Sequence, residues 1–226
     1  MVMRSDVRKR ADLALTLMAG EGISLWTEIR GRLGLYAGSS QRLRLALERE
    51  GLVTVVRGKF GRFPYDILIL TADGKAYVAE LGVPAVTSEW ERLVEQHHGT
   101  RYLTHNLAVL LFAYQARKRG WGVEVLPEPP KPYLKPDVLV TKDGQRVFVE
   151  VEVLRHPRKQ RGGADNTWLR KWINQHRVQG YVAVCTLTPA RMAGIVTALK
   201  PHFPGLATDL MTLLKHPDCE LWVAKW

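Results

Sequence analysis

Cysteine is nearly missing from this chain: Cys185 and Cys219 are the only two in 226 residues, and they form no CxxC pair. That excludes a disulfide framework and the usual cysteine-rich zinc sites. Long apolar runs are missing too. Stretches such as Leu107 to Ala113 fall far short of the roughly 18 residues a membrane span needs. The opening Met1-Val2-Met3-Arg4-Ser5-Asp6 turns polar without the apolar stretch of a secretory signal, so a cytoplasmic chain with no membrane partner is expected. There is no P-loop, no GxGxxG and no plausible Ser-His-Asp or Cys-His set, so no organic cofactor is indicated. Acid is also scarce. Lys and Arg number 33 against 22 Asp and Glu, a formal net charge of +11. Such an excess favours polyanions, nucleic acid first, over a merely solvated basic face.

What is present begins with helical spacing. Val7, Ala11, Leu13, Ala14, Leu15, Leu17 and Met18 predict a helix over residues 5–19, stopped by Gly20 and Gly22. A second follows over Trp26–Leu33, closed by Gly34. Ser39-Ser40 can cap a third over Gln41–Glu50, with Leu43, Ala46 and Leu47 inward and Gln41, Arg42, Arg44 and Arg49 outward. Leu52–Val56 and Tyr65–Leu70 alternate as strands around a basic turn, Arg57 to Arg62, and Thr71 opens a closing helix through about Leu81. The run LxxLEREGLV…RGKFGRFPYDILILTADGKAYVAELG resembles bacterial winged-helix domains over residues 5–82. That resemblance implies Ser40, Gln41, Arg42 and Arg44 at base edges, with Arg57, Lys59 and Arg62 on phosphates. A winged helix that dimerises is the alternative.

Residues 83–96, beginning Val83-Pro84, read as a linker between a domain over 1–82 and another over 97–226. A helix over 100–119, a strand over Trp121–Leu126, a proline-rich connection and a strand from Asp137 follow in order. Asp143-Gly144 then marks a hairpin. Val147–Val153 is the next strand, and a basic loop leads to a helix over Asn166–Gln175; its Arg155, Arg158 and Lys159 are expected to straddle the DNA backbone beside the acids, with a solvated loop as the alternative. Tyr181–Thr186 (strand), Pro189–Leu199 (helix), Leu206–Leu214 (helix) and Glu220–Lys225 (strand) complete the pattern.

Alternation puts Glu150 and Glu152 on one face of their strand, and the hairpin can bring Asp137 beside them. Three converging carboxylates repel unless a cation lies between them, and hard oxygen ligands suit Mg²⁺ or Mn²⁺. Acids that merely keep a sheet edge soluble are the alternative. Trp168 and Trp172 suit a core better than a stacking role. His105 can orient an acid or be a hydrogen-bonded core histidine.

The order helix–strand–hairpin–strand–helix–strand, with Pro136-Asp137 and Glu150-Val151-Glu152, resembles the PD-(D/E)XK nuclease core. More narrowly, His105, Pro136-Asp137, Glu150-Val151-Glu152, Lys171, Tyr181 and Thr186 to Arg191 resemble the replication-relaxation family of plasmid and mobile-element proteins. The resemblance implies an α/β (α+β) chain, a winged helix followed by a restriction-endonuclease-like domain with a mixed sheet. It implies a metal-dependent endonuclease or nickase acting on double-stranded DNA, with homodimerisation open. Asp137, Glu150 and Glu152 would hold the metal. The pattern's lysine is replaced by Glu152, so Lys171 on the following helix would take that role, with a surface lysine as the alternative. A DNA-binding protein with a degenerate, non-catalytic core is the other functional reading.

Overall fold

The computed structural model describes residues 5–97, 103–153 and 166–226, with side chains from Leu169 onward in the last stretch. The chain has an α/β architecture, a mainly helical N-terminal region followed by a mixed-sheet domain. It divides into two compact units, Met1–Leu107 and Ala108–Trp226, the division falling inside a helix. No helix among the described residues is long and apolar enough to cross a membrane.

In the first unit α1 (Ser5–Glu21), α2 (Trp26–Arg32) and α3 (Ala37–Arg49) precede a hairpin, β1 (Val53–Phe60) and β2 (Phe63–Leu70), and α4 (Ala72–Glu80) closes it. Leu15, Ile29, Leu47, Leu68 and Val78 meet in one core and are each fully buried. Burial of each such side chain stabilises by roughly 1.5–3 kcal/mol before entropy is charged. A single antiparallel bridge, Leu25 to Ile67, adds a short third rung to the hairpin. Thr71 caps α4 by accepting from the Gly74 N–H at 3.0 Å. The segment after Gly82 holds α5 (Glu89–Gln96), opened by a capping box in which Ser88 and Glu91 satisfy each other's backbone donors.

Two expectations for this unit need correction. The basic turn is shorter than its sequence suggests: Arg57 to Phe60 lie in β1, and only Gly61 and Arg62 form the turn. The third helix starts four residues early, at Ala37, and Ser39 Oγ donates to the Tyr36 carbonyl instead of capping. That advance changes nothing in the register of the face, but Ser40 and Arg44 belong to its inner edge, not its outer one. Ser40 is buried and accepts from Trp26 Nε1 at 3.0 Å. Arg44, 3% exposed, is ion-paired to Glu48 at 3.1 Å and to Asp66 of β2 at 3.2 Å. A guanidinium can be buried when carboxylates meet it from two sides.

The division falls within α6 (Leu103–Lys118), whose residues Asn106 to Ala113 are buried all round, as expected of a helix with no polar face. Then come β3 (Gly122–Val125), β4 (Val138–Lys142), β5 (Gln145–Glu152), α7 (Asn166–Gln179), β6 (Val182–Thr186), α8 (Pro189–Leu199), β7 (Gly205–Asp209), α9 (Leu210–Lys215) and β8 (Ala224–Lys225). The six strands lie in chain order. The pairs β3–β4, β4–β5 and β7–β8 are antiparallel, while β5–β6 and β6–β7 are parallel. Asp143 and Gly144 both have positive φ, 50° and 77°, which fits the two-residue turn joining β4 to β5.

Residues 205–209 depart from the sequence reading: they form a strand where a helix is expected. Leu206, Leu210 and Leu213 share a helical spacing. Asp209 instead accepts from the Thr212 N–H at 2.9 Å and starts the helix at Leu210. The five residues before it fill a parallel slot beside β6 and bury four of their side chains or backbones. A side chain at position 205 would collide with the Trp226 ring, so glycine is required there. The last strand is likewise only Ala224–Lys225. One face of the sheet is covered by Trp172, Ile195 and Leu199, packed on Val182, Val184 and Ala207.

Candidate functional site

Charged groups converge in the second unit where β4, β5 and α7 meet. Strand alternation places Glu150 and Glu152 on the α7 side of β5, the side shared by Phe148, which packs with Val178 of α7. Both glutamates are largely withdrawn from solvent, with side chains 13% and 14% exposed. Lys171 of α7 comes down onto them, its Nζ 2.7 Å from Glu152 Oε2 and 3.7 Å from Glu150 Oε2.

Asp137 enters from the end of the β4–β5 ladder, which finishes with Val138 opposite Val149. Just beyond, the Asp137 N–H donates to the Val149 carbonyl at 3.1 Å. Its Oδ2 accepts the Val151 N–H at 2.7 Å, so the side chain takes a main-chain partner's place between the two glutamates. Asp137 is buried, at 7% exposure. Burial opposes the charge on Lys171. Glu150 and then Glu152, with Asp137 behind them, outweigh it and raise the lysine pKa above its ordinary value. Three carboxylates thus act on one ammonium.

The surroundings hold this cluster rigid. Gln175, one turn after Lys171 and fully buried, donates from Nε2 to the Phe148 carbonyl at 2.7 Å and the Ala183 carbonyl at 3.1 Å. Its Oε1 accepts the Ala183 N–H at 2.9 Å. Gln179 repeats the device on Phe148, accepting its N–H at 2.9 Å and donating to its carbonyl at 3.1 Å. These two side chains bond the backbones where β5 and β6 are not yet paired, since the ladder between them covers only Glu150 to Glu152. Arg191 of α8 donates to the carbonyl of Val153, the residue after Glu152. Tyr181 reaches the Arg146 carbonyl at 3.3 Å, at the far end of β5. Sequence reasoning missed the role of the glutamines. Their spacing of four on one helix was the available signal.

Asp209 and Cys185 lie deeper. Asp209 is opposite Thr186 in the β6–β7 ladder and fully buried; Oδ1 caps α9, while Oδ2 has no hydrogen-bond partner among the described residues. Burial first, then the charges of Asp209 and Asp137, push the Cys185 thiol well above its ordinary pKa. This cysteine is protonated and inert as a nucleophile.

Most of the expected DNA-facing residues belong to the first unit. Gln41 and Arg42 are exposed on α3, while Ser40 and Arg44 are buried as described above. Arg57, Lys59 and Arg62 are all exposed on the hairpin, and the Arg62 guanidinium lies 5.2 Å from the Phe63 ring centre. The same unit holds a pair of imidazoles: His97 and His105 meet edge to face at 4.7 Å, and His97 Nδ1 is 2.6 Å from Asn106 Oδ1. His105 is half-buried. Arg155, Arg158 and Lys159, with the side chain of Trp168, lie outside the described residues. Trp172 is fully buried in the core, and the Lys171 Nζ rests 4.6 Å from its ring centre.

No protein-family model matches the chain, and no curated protein or solved structure matches it either.

Proposed function

We propose that this chain is a DNA-binding protein of the replication-relaxation kind, a winged helix joined to a PD-(D/E)XK-like core that cuts or nicks double-stranded DNA with Mg²⁺ or Mn²⁺. The observation that carries the proposal is Lys171 lying on Glu150 and Glu152, with buried Asp137 bonded to the Val151 N–H between those two glutamates on a mixed sheet. It is supported by the order α6-β3-β4-β5-α7-β6, in which an antiparallel meander runs into a parallel strand through a helix. For the first unit, support comes from three helices, an exposed basic hairpin and the extra rung at Leu25.

The donor set fits a hard divalent ion. Each of the acids offers hard carboxylate oxygen, the ligand type such an ion takes. Asp137, Glu150 and Glu152 would hold the ion, which when bound lowers the pKa of a water and polarises a phosphate oxygen. The chain's own residues do the rest. The Val151 N–H fixes the Asp137 carboxylate. Lys171, kept protonated by its neighbours, is positioned to stabilise negative charge on phosphate. Gln175 and Arg191 hold the strand that bears the glutamates.

A second reading has one observation in its favour. The Lys171–Glu152 pair at 2.7 Å already neutralises part of the acid, so the core can serve as a DNA-binding platform without cutting. Incubating supercoiled plasmid with Mg²⁺ or Mn²⁺ separates the two. Nicking that Glu150→Gln abolishes supports the enzyme, and tight binding without nicking supports the platform.

A further inference from the structure

The connection between β3 and β4 plays no part in the reading above. It runs Pro127-Glu128-Pro129-Pro130-Lys131-Pro132-Tyr133-Leu134-Lys135-Pro136, and each of its prolines fixes a backbone φ. Two anchors restrain it further. Leu134, 2% exposed, packs with Leu139 and Phe148 and against Val178 of α7. The Tyr133 carbonyl accepts from Asn174 Nδ2 at 3.1 Å.

Those anchors also locate it. Asn174 lies one helical turn beyond Lys171, and Asp137 follows Tyr133 by four residues. Its C-terminal half is thus tied, through Tyr133, Leu134 and Asp137, to the elements that bear the charged cluster. On this stiff mount Tyr133 is 50% exposed, the one exposed Phe, Tyr or Trp among the described residues of the second unit. Lys131 and Lys135, both exposed, flank it at two residues on either side.

We propose that Tyr133 is a stacking platform for an unpaired nucleobase, with Lys131 and Lys135 on the adjoining phosphates. The strand that approaches Asp137 and Lys171 is then single-stranded locally, as at a melted or nicked site. This rests on the nuclease-type reading for its place and adds the state of the substrate. A tyrosine face meets a base face only when that base has left the duplex stack, because a duplex offers side chains its edges and phosphates. A platform held rigid in advance loses little freedom when the base arrives.

The test uses the full chain in metal-free buffer, with a labelled short oligothymidylate and a strand of equal length and charge whose central bases are abasic. Wild type binds the thymidylate about tenfold more tightly than the abasic strand, in the range of one base–aromatic stack. Tyr133→Ala removes that preference without changing the melting temperature, and Tyr133→Phe keeps it. Equal binding of the two strands by wild type, or a preference that survives Tyr133→Ala, overturns the proposal. The nuclease reading is scored separately by plasmid nicking. Base preference lost in Tyr133→Ala with no nicking by wild type leaves the platform standing and removes the nuclease. Nicking that Glu150→Gln abolishes, with no base preference, does the reverse.

Discussion

The Lys171 ammonium sits 2.7 Å from Oε2 of Glu152, joining α7 to the strand that carries the acids. Both groups are mostly withdrawn from water, so neither is well solvated without the other. Removing the lysine leaves like charges facing one another. Lys171→Met should therefore lower stability at neutral pH by about 1–2 kcal/mol, less than a fully buried pair because the lysine is partly exposed. The lysine pKa is raised on folding, so its contribution is complete below the ordinary value of 10.5 and is lost as pH climbs through the folded value. Urea unfolding of the two proteins should differ at pH 7 and converge in strong alkali. A gap that widens with pH contradicts the pairing.

On the hairpin-bearing unit, two arginines of one helix should behave oppositely. Arg42 is exposed, and Arg42→Ala should weaken DNA binding while leaving the melting temperature unchanged. Arg44 is buried between Glu48 and Asp66, and its loss strands Asp66. Arg44→Ala should cost about 2–4 kcal/mol. A thermal melt unaffected by Arg44→Ala would return that side chain to the surface.

The cations of the β1–β2 hairpin should act together. Replacing Arg57, Lys59 and Arg62 by Ala should flatten the fall of duplex affinity with salt, because each phosphate contact releases counterions. A salt slope equal to wild type would take the hairpin out of the DNA interface.

The hydrogen bonds around Glu91 make α5 sensitive to acid. Burial alone would raise the Glu91 carboxyl, but bonds from the Ser88 side chain and backbone, with the Lys75 ammonium at 3.1 Å, hold it below its ordinary value. That stability is present above the ordinary glutamate range and is lost as pH falls through the depressed value. Ser88→Ala should cost about 1 kcal/mol at pH 7, and the difference should shrink in acid. Equilibrium unfolding at the two pH values checks both.

Much of the second unit was legible because its signals are local. Asp143-Gly144 admits few conformations besides a tight hairpin, and the alternation of Glu150 and Glu152 with valines fixes which face they share. Lys171 was readable only as one of two choices, since its partner lies 19 residues away and depends on how α7 lies on the sheet. The misreadings have a common cause. Arg44 sits at the border of the α3 stripe, and its burial is decided by Asp66, on a strand the helix periodicity knows nothing of. Leu206 follows a helical spacing, but a vacant parallel edge beside β6 and the cap at Asp209 decide the issue. The spacing of Gln175 and Gln179 marks a shared helix face, but their bonds to Phe148 and Ala183 answer a gap between two strands that lies outside that helix.

The central claim is that Asp137, Glu150 and Glu152 hold a divalent ion for phosphodiester cleavage, and plasmid nicking by purified full-length protein tests it most directly. Supercoiled DNA should be converted to nicked or linear form with Mg²⁺ or Mn²⁺ and not with chelator. Glu150→Gln should abolish conversion while binding DNA as well as wild type or better, since a carboxylate near phosphate is repulsive. Wild-type protein that binds the same plasmid tightly and leaves it supercoiled with either metal would contradict the claim.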